Sequence, residues 1–422
     1  MKRRAMVWQV VTCCGVLAMA MPGPPPALGA GKVPVGETVT ERPRPKLDPL
    51  GVRAGAFTIY PMIEIRESYD SNVFATETGT SDDLITVVHP SIRVKSETTR
   101  HRLDFQANAR VGKFADNTNE NYEDMLFSAQ GRLDILRRTR LFAALRYQRL
   151  HQDRSSPDDP ATNAEPVEYG NLGGLFAGEH VINRLGFRLE GNFKTLDYDD
   201  ASTAAGAVID QDDRDRSEYE FSLRTGYELA LEYEAFVRLS YNLKDYDDAL
   251  DSSGLNRDSS GYEVRLGATA DFSGVTFGEI FAGFLSQSFD DSQLDTVSGP
   301  GFGAALSWNP SGLTTVKANA RRVVKETTLV GVSGILSSTY SARIDHALLR
   351  ELMLNARIAF TSAEYEGDTR EDDTFVIGFG AQYMMTRHYY LGVKYSYLSR
   401  DSTEADQDYD QNLFTVRLGV QY

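Results

Sequence analysis

The stretch 411-QNLFTVRLGVQY-422 puts Phe414, Val416, Leu418, Val420 and Tyr422 on alternate positions, with Thr415, Arg417, Gly419 and Gln421 between them. A period of two is that of a β-strand with one apolar and one polar face. A charge, Arg417, stands in the middle of the polar face, and an aromatic residue ends the strand. The same rule recurs upstream. In "LDFQANARV", Leu103, Phe105, Ala107, Ala109 and Val111 share one face, and Asp104, Gln106, Asn108 and Arg110 the other. "LFAALRY", "RLGFRLEGNF", "YEFSLRTGY", "YEAFVRLSYNL", "YEVRLGA", "LMLNARIAF" and "FVIGFGAQY" repeat it.

The connections between these strands alternate in length. Short ones lie near residues 97–100, 137–139, 182–184, 230–231, 272–274, 309–312, 347–351 and 385–388. Long polar ones such as "QDRSSPDDPATNAEP", "DYDDASTAAGAVIDQDDRD" and "DSTEADQDYD" lie between them. The pattern predicts about 18 strands in an all-β, antiparallel transmembrane barrel, with short periplasmic turns and long extracellular loops. Tyrosines near strand ends, among them Tyr219, Tyr227, Tyr233, Tyr241, Tyr262, Tyr383, Tyr395 and Tyr397, suit the aromatic girdles of such a barrel. A soluble β-sandwich or propeller would share the alternation, but not the alternating loop lengths.

The N-terminal residues agree. Lys2, Arg3 and Arg4 precede an apolar run from Ala5 to Met21 and a small-residue region, as in a secretory signal, here assigned to residues 1–30. Residues 31–55, with Pro34, Pro43, Pro45 and Pro49, read as a flexible periplasmic tail, and 56–422 as the barrel. Cys13 and Cys14 leave with the signal, so no disulfide or cysteine–metal site is expected in the mature chain. The formal charge is −16, and loss of Lys2, Arg3 and Arg4 takes it to about −19, which argues against a nucleic-acid partner. After the signal no apolar run is long enough for a transmembrane helix. The location expected is the outer membrane of a Gram-negative bacterium.

Tyr60 to Thr76, "YPMIEIRESYDSNVFAT", places Pro61 in the first strand and Tyr69-Asp70-Ser71-Asn72 after it. "LITVVHPSIRV" follows, with Pro90 in the second strand. This arrangement resembles the start of a family of putative β-barrel porins of Gram-negative outer membranes, whose members often sit beside exopolysaccharide genes. The resemblance implies an outer-membrane barrel and, for some members, a link to polysaccharide export. It supplies no catalytic or binding residues to carry over.

If the apolar faces meet lipid, the polar faces line a lumen. That face carries a base on strand after strand: Arg93, Arg110, Arg132, Arg146, Arg188, Arg224, Arg238, Arg265, Lys317, Arg343, Arg357, Lys394 and Arg417. With a rise of about 3.3 Å per residue and a tilt near 45°, most would stand on the order of 12–19 Å above the periplasmic rim. Two readings stay open. The bases form a belt that attracts an anionic permeant such as an acidic polysaccharide, or they pair across strands with inward acids such as Glu64, Asp104, Asp134, Glu190, Glu220 and Glu263.

The outer loops are acidic, with Asp197, Asp199, Asp200, Asp210, Asp212, Asp213 and Asp215 in one and Asp401, Glu404, Asp406, Asp408 and Asp410 in another. Divalent cations bridging to lipopolysaccharide, or plain solvation, would both suit them, and no EF-hand-like spacing is present. No cofactor and no catalytic residue is expected, since neither H-E-x-x-H nor G-x-S-x-G occurs. The function expected is a channel for polar solute or polymer, in particular a conduit for exopolysaccharide export. A non-conducting structural or adhesive barrel and an outer-membrane hydrolase are the rivals. Lipid, lipopolysaccharide, the barrel assembly machinery and a periplasmic polysaccharide export protein are the partners implied. In that frame Phe414, Val416, Leu418, Val420 and Tyr422 form the assembly signal, on a strand that must pair with the first, around residues 57–67.

Overall fold

The structure is a computed structural model that describes residues 37–96, 98, 100–159, 163–272 and 274–422. The expected signal, residues 1–30, lies outside the described residues. The main sheet has 19 strands: a three-residue strand, Val52–Ala54, and those that go round the barrel. The barrel strands are β1 Phe57–Asp70, β2 Asp83–Ser96, β3 His101–Phe114, β4 Tyr122–Leu136, β5 Thr139–His151 and β6 Glu168–Ile182. Next come β7 Leu185–Tyr198, β8 Arg216–Ala230, β9 Tyr233–Tyr246, β10 Ser259–Phe272, β11 Thr276–Phe289 and β12 Val297–Ser311. The circuit ends with β13 Thr314–Lys325, β14 Gly334–Ala347, β15 Leu352–Glu366, β16 Glu371–Met384, β17 Tyr389–Ser402 and β18 Tyr409–Gln421. Each pairs antiparallel with the next, and β18 pairs with β1 from Met62–Gln421 to Asp70–Leu413. This is the closed 18-strand barrel that the alternation predicts.

Side-chain burial follows the period of two. On β3, Leu103 and Phe105 are exposed on the outer wall while Asp104 between them is 3% exposed. Phe414, Val416, Leu418, Val420 and Tyr422 all lie exposed on the outer wall. On the adjacent strands β8 to β10, Tyr219, Tyr241 and Tyr262 are exposed toward one end of it, and Tyr227, Tyr233 and Phe272 toward the other. The turns at the periplasmic end are tight, and Asn183 (φ 53°) and Glu232 (φ 71°) adopt left-handed backbone there to reverse the chain.

Below Pro61, β18 no longer covers β1. Tyr422 donates its N–H to the Pro61 carbonyl (3.1 Å), and there the last strand ends. Val52–Ala54 turns back at Gly55 and pairs with Phe57–Ile59, covering the edge that β18 leaves.

The structure corrects the expectation of a plain flexible tail over residues 37–54. Val39 is buried and donates its N–H to Thr315 Oγ1 (2.8 Å), and the Glu37 carbonyl accepts from Asn309 (3.3 Å). Arg44 reaches the sulfurs of Met353 (2.7 Å) and Met384 (3.8 Å). Leu47 packs with Met384, Tyr390 and Met62. The segment therefore runs along the inner wall at the periplasmic mouth, from β12–β13 past β15–β16 to β17 and β1. Proline-rich composition hid this, because the contacts are made by a few side chains without any periodic pattern.

Two expectations follow. Deleting Tyr422, or adding a polar tail after it, removes or competes with the closing pair. The fraction of chain that folds into membranes, read by heat-modifiable gel mobility, should fall several-fold; unchanged folding would contradict this. Deleting residues 37–50 should raise single-channel conductance without loss of heat-modifiable mobility.

Candidate functional site: the charged lumen

Strand register arranges the inward bases in rows. Arg188 stands opposite Arg224, Arg224 opposite Arg238, and Arg238 opposite Arg265, on four adjacent strands β7 to β10. Lys317, Arg343 and Arg357 make a second row on β13 to β15. Arg417 faces Arg66 across the closing pair. Neighbouring strands are about 4.8 Å apart, so at a tilt near 45° a row gains about 3 Å of height per strand. The proposed belt is thus a set of rising segments rather than a level ring.

Like charges placed directly opposite one another destabilise a sheet. Two devices offset this here. The first is interleaved acid. Arg188 bonds Glu179 (2.8 Å) and Glu190 (2.5 Å), and Arg224 reaches Glu234 (2.5 Å) and Glu279 (3.5 Å). Arg265 bonds Glu263, Arg93 bonds Asp104 (2.6 Å), and Arg110 bonds Asp124 (2.6 Å). Arg132 pairs with Asp134 (3.2 Å), Arg343 with Asp345 (2.7 Å), and Arg417 with Glu64 (3.4 Å). The second is aromatic. Arg188 lies over Phe142 (5.0 Å), Arg224 over Phe236 (4.0 Å), and Arg265 over Phe281 (4.7 Å). These rings point inward, and glycine makes room for two of them. A Cβ on Gly267 would fall 2.4 Å from the Phe236 ring, and one on Gly303 2.4 Å from the Phe281 ring.

Pairing and free charge therefore coexist. No acid lies within ion-pair distance of Arg146, Arg238 or Lys317 among the described residues. The Nε of Arg238, in the middle of the four-arginine row, is buried with no hydrogen-bond partner among the described residues. Arg321, which the sequence reading did not include, also lines the lumen. It stands four residues after Lys317 on β13, so the same parity turns it inward and its neighbour Arg322 outward, and the pairing with Gly303 agrees. Arg66 on β1, a strand with none of the thirteen bases, faces inward as well, opposite Arg417.

The extracellular mouth is crossed by residues 152–159, which follow β5. Arg154 bonds Glu120 (2.6 Å) and Asp159 (3.4 Å) and sits 5.8 Å from the Phe74 ring. Asp158 accepts from Thr327 (2.5 Å), and its carbonyl accepts from Arg214 (3.4 Å). Arg400 of β17 donates to the Ser155 carbonyl. The loop thus reaches from β5–β6 to the far wall. Length and polarity alone did not show which way it folds. At the other acidic loop, Asp200, Asp210 and Asp212 bring carboxylate oxygens within 4.8 Å of one another, all exposed.

The arrangement agrees with the family to which the chain belongs. Residues 44–422 match the family described as "Putative beta-barrel porin 2", and the chain is a member of it. The protein is an outer-membrane β-barrel porin. It is similar to solved porins of Pseudomonas aeruginosa: OccK3 (OpdO), 16% identical, TM-score 0.43, with 86% of this chain and 95% of that one covered. OpdK with vanillate is 12% identical, TM-score 0.45, over 86% and 99%, and OccK9 (OpdG) is 13% identical, TM-score 0.46, over 87% and 98%. At these scores the family match alone carries the assignment. No curated protein sequence matches the chain.

Burial raises the Asp159 carboxyl from 3.8 to about 6, and the Arg154 contact does not overcome it because Arg154 is shared with Glu120. The folded protein thus holds a proton between pH 4 and 6 that the unfolded chain releases. The stabilisation is full below the unfolded value and is lost as pH rises through about 6, a difference of at most about 3 kcal/mol. Asp159→Asn should therefore raise the thermal unfolding midpoint at pH 7.5 and leave it unchanged at pH 4, measured by heat-modifiable mobility.

Proposed function

We propose that the barrel conducts an anionic polar solute or polymer across the outer membrane of a Gram-negative bacterium, and that an acidic exopolysaccharide on its way out is the permeant. The observation that carries this reading is the row Arg188–Arg224–Arg238–Arg265, in which Arg238 lacks an acid partner among the described residues. Acids hold Arg188, Arg224 and Arg265 of this row, and Arg238 is the member whose charge they leave uncompensated. Rings and rows of fixed charge select ions of opposite sign. The thirteen bases read from the sequence act in this proposal as an attractive lining, tempered by their acid partners. Narrowing at both mouths suits an extended chain better than a bulky solute. A leader removed on secretion, contacts with lipopolysaccharide, the assembly machinery and a periplasmic export protein belong to the same proposal.

The rival is a barrel that does not conduct and works through its outer surface. The packed extracellular mouth is the observation that favours it. Planar-bilayer recording separates the two. The conduit should give open steps whose reversal potential in a salt gradient favours anions. Arg238→Glu should shift that preference toward cations, and polygalacturonate should block current where neutral dextran does not. Cation preference in the wild type, or equal block by both polymers, would overturn the anionic reading.

A further inference from the structure

The wall overlaps itself at one place. The pairing of β12 with β13 stops at Gly303–Arg321, although β12 runs on to Val297 and β13 to Lys325. Above that point β12 stays paired to β11, and β13 to β14. The seam falls at Pro300, which has no N–H to donate. The side chains show what replaces the missing pairing. Tyr340 and Ile344 are exposed on the outer wall, so Leu336, two and four residue pairs further along the same face of β14, should be exposed too. It is 3% exposed and packs with Leu285, Val297, Phe289 and Val324. Leu285 and Val297 belong to the inner faces of β11 and β12. The top of the β13–β14 hairpin is therefore tucked into the lumen, its outer face laid on the inner face of β11–β12. Glycine at the inward position Gly299 leaves space for this: a Cβ there would face Leu336 at 3.9 Å.

The loop at the tip of the hairpin, 326–333, is latched inside the mouth. Arg257, 1% exposed, donates to the carbonyls of Thr327 (2.7 Å), Val332 (2.8 Å) and Leu329 (3.1 Å) and bonds Asp251 (2.6 Å). Glu326 bonds Lys244 on β9 and accepts from Tyr246 (3.3 Å). Val332, Ile335, Tyr365 and Leu329 form an apolar cluster beside it.

We infer that the β13–β14 hairpin is a gate of the extracellular mouth, closed in this structure and latched by Arg257 and Glu326. In the open state its top swings outward and resumes the ladder with β12, placing Arg322 opposite Phe302 and Val323 opposite Gly301. Pro300 cannot donate to the restored ladder, which keeps the two arrangements close enough in free energy to exchange. The gate regulates the channel reading given above and rests on it only for the existence of current. Ion preference and gating are read separately.

The test is single-channel recording of the purified full barrel. Arg257→Gln removes the latch and should raise the open fraction several-fold at unchanged heat-modifiable mobility. In a second variant, Val297→Cys with Leu336→Cys, oxidation should hold the channel at its closed level and dithiothreitol should release it; Cys13 and Cys14 are the chain's only other cysteines. An unchanged open fraction in folded Arg257→Gln, or identical recordings of the oxidised and reduced double variant with the disulfide verified, would overturn the gate. A reversed ion preference with these gating effects intact would overturn the anionic reading and leave the gate standing.

Discussion

In hydrocarbon there is no water to satisfy a backbone N–H or C=O, and each one left unpaired costs several kcal/mol. The rest of this structure depends on that constraint. It requires β18 to find β1, and the pairing of Met62 to Asp70 with Gln421 to Leu413 meets it. It also explains the small strand Val52–Ala54, which takes over where β18 ends. Once closed, the barrel fixes which side chains face inward, and every later argument about charge follows from that parity.

The lumen is then a compromise between holding charge and using it. Arginines stacked on inward Phe142, Phe236 and Phe281 are oriented by apolar contact as well as by acids. A guanidinium held this way leaves its N–H edges to its acid partners, since a ring occupies its face and not its N–H groups: Arg188 bonds Glu179 and Glu190, Arg224 bonds Glu234, and Arg265 bonds Glu263. Glycines that make room for the rings are as much a part of the charged lining as the arginines themselves.

Much of the fold was legible in the sequence because a barrel strand advertises itself locally. Alternation at Phe414 to Tyr422 gives the outer face, and alternating loop lengths give the sidedness. The inward bases were legible by the same parity. Their rows were not, because Arg188 and Arg265 are brought into one line by register, which no local pattern encodes. Nor were the inward fold of residues 152–159, the seating of residues 37–50, or the tucked hairpin. Each depends on single contacts between distant segments, such as Thr327 with Asp158 or Val39 with Thr315. Pro300 and the neighbouring glycines were the one available sign of the seam, and in isolation they read only as a weak strand.

The position of the seam matters for the surrounding lipid. Phe302 and Tyr340 stack on the outer wall with ring centres 5.8 Å apart, and Arg322 lies 5.6 Å from the Phe302 ring while bonded to Ser338 (2.7 Å) and Glu364 (3.2 Å). An aromatic pair topped by a charged pair marks the level where hydrocarbon gives way to headgroups. The ladder of β12 with β13 breaks beside that same pair, which leaves the edge above Gly303 without its neighbour. A thicker bilayer would submerge that edge and penalise the tucked arrangement, while a thinner one would spare it. Membrane thickness thereby becomes a term in the equilibrium of the hairpin, acting through backbone solvation and without any ligand.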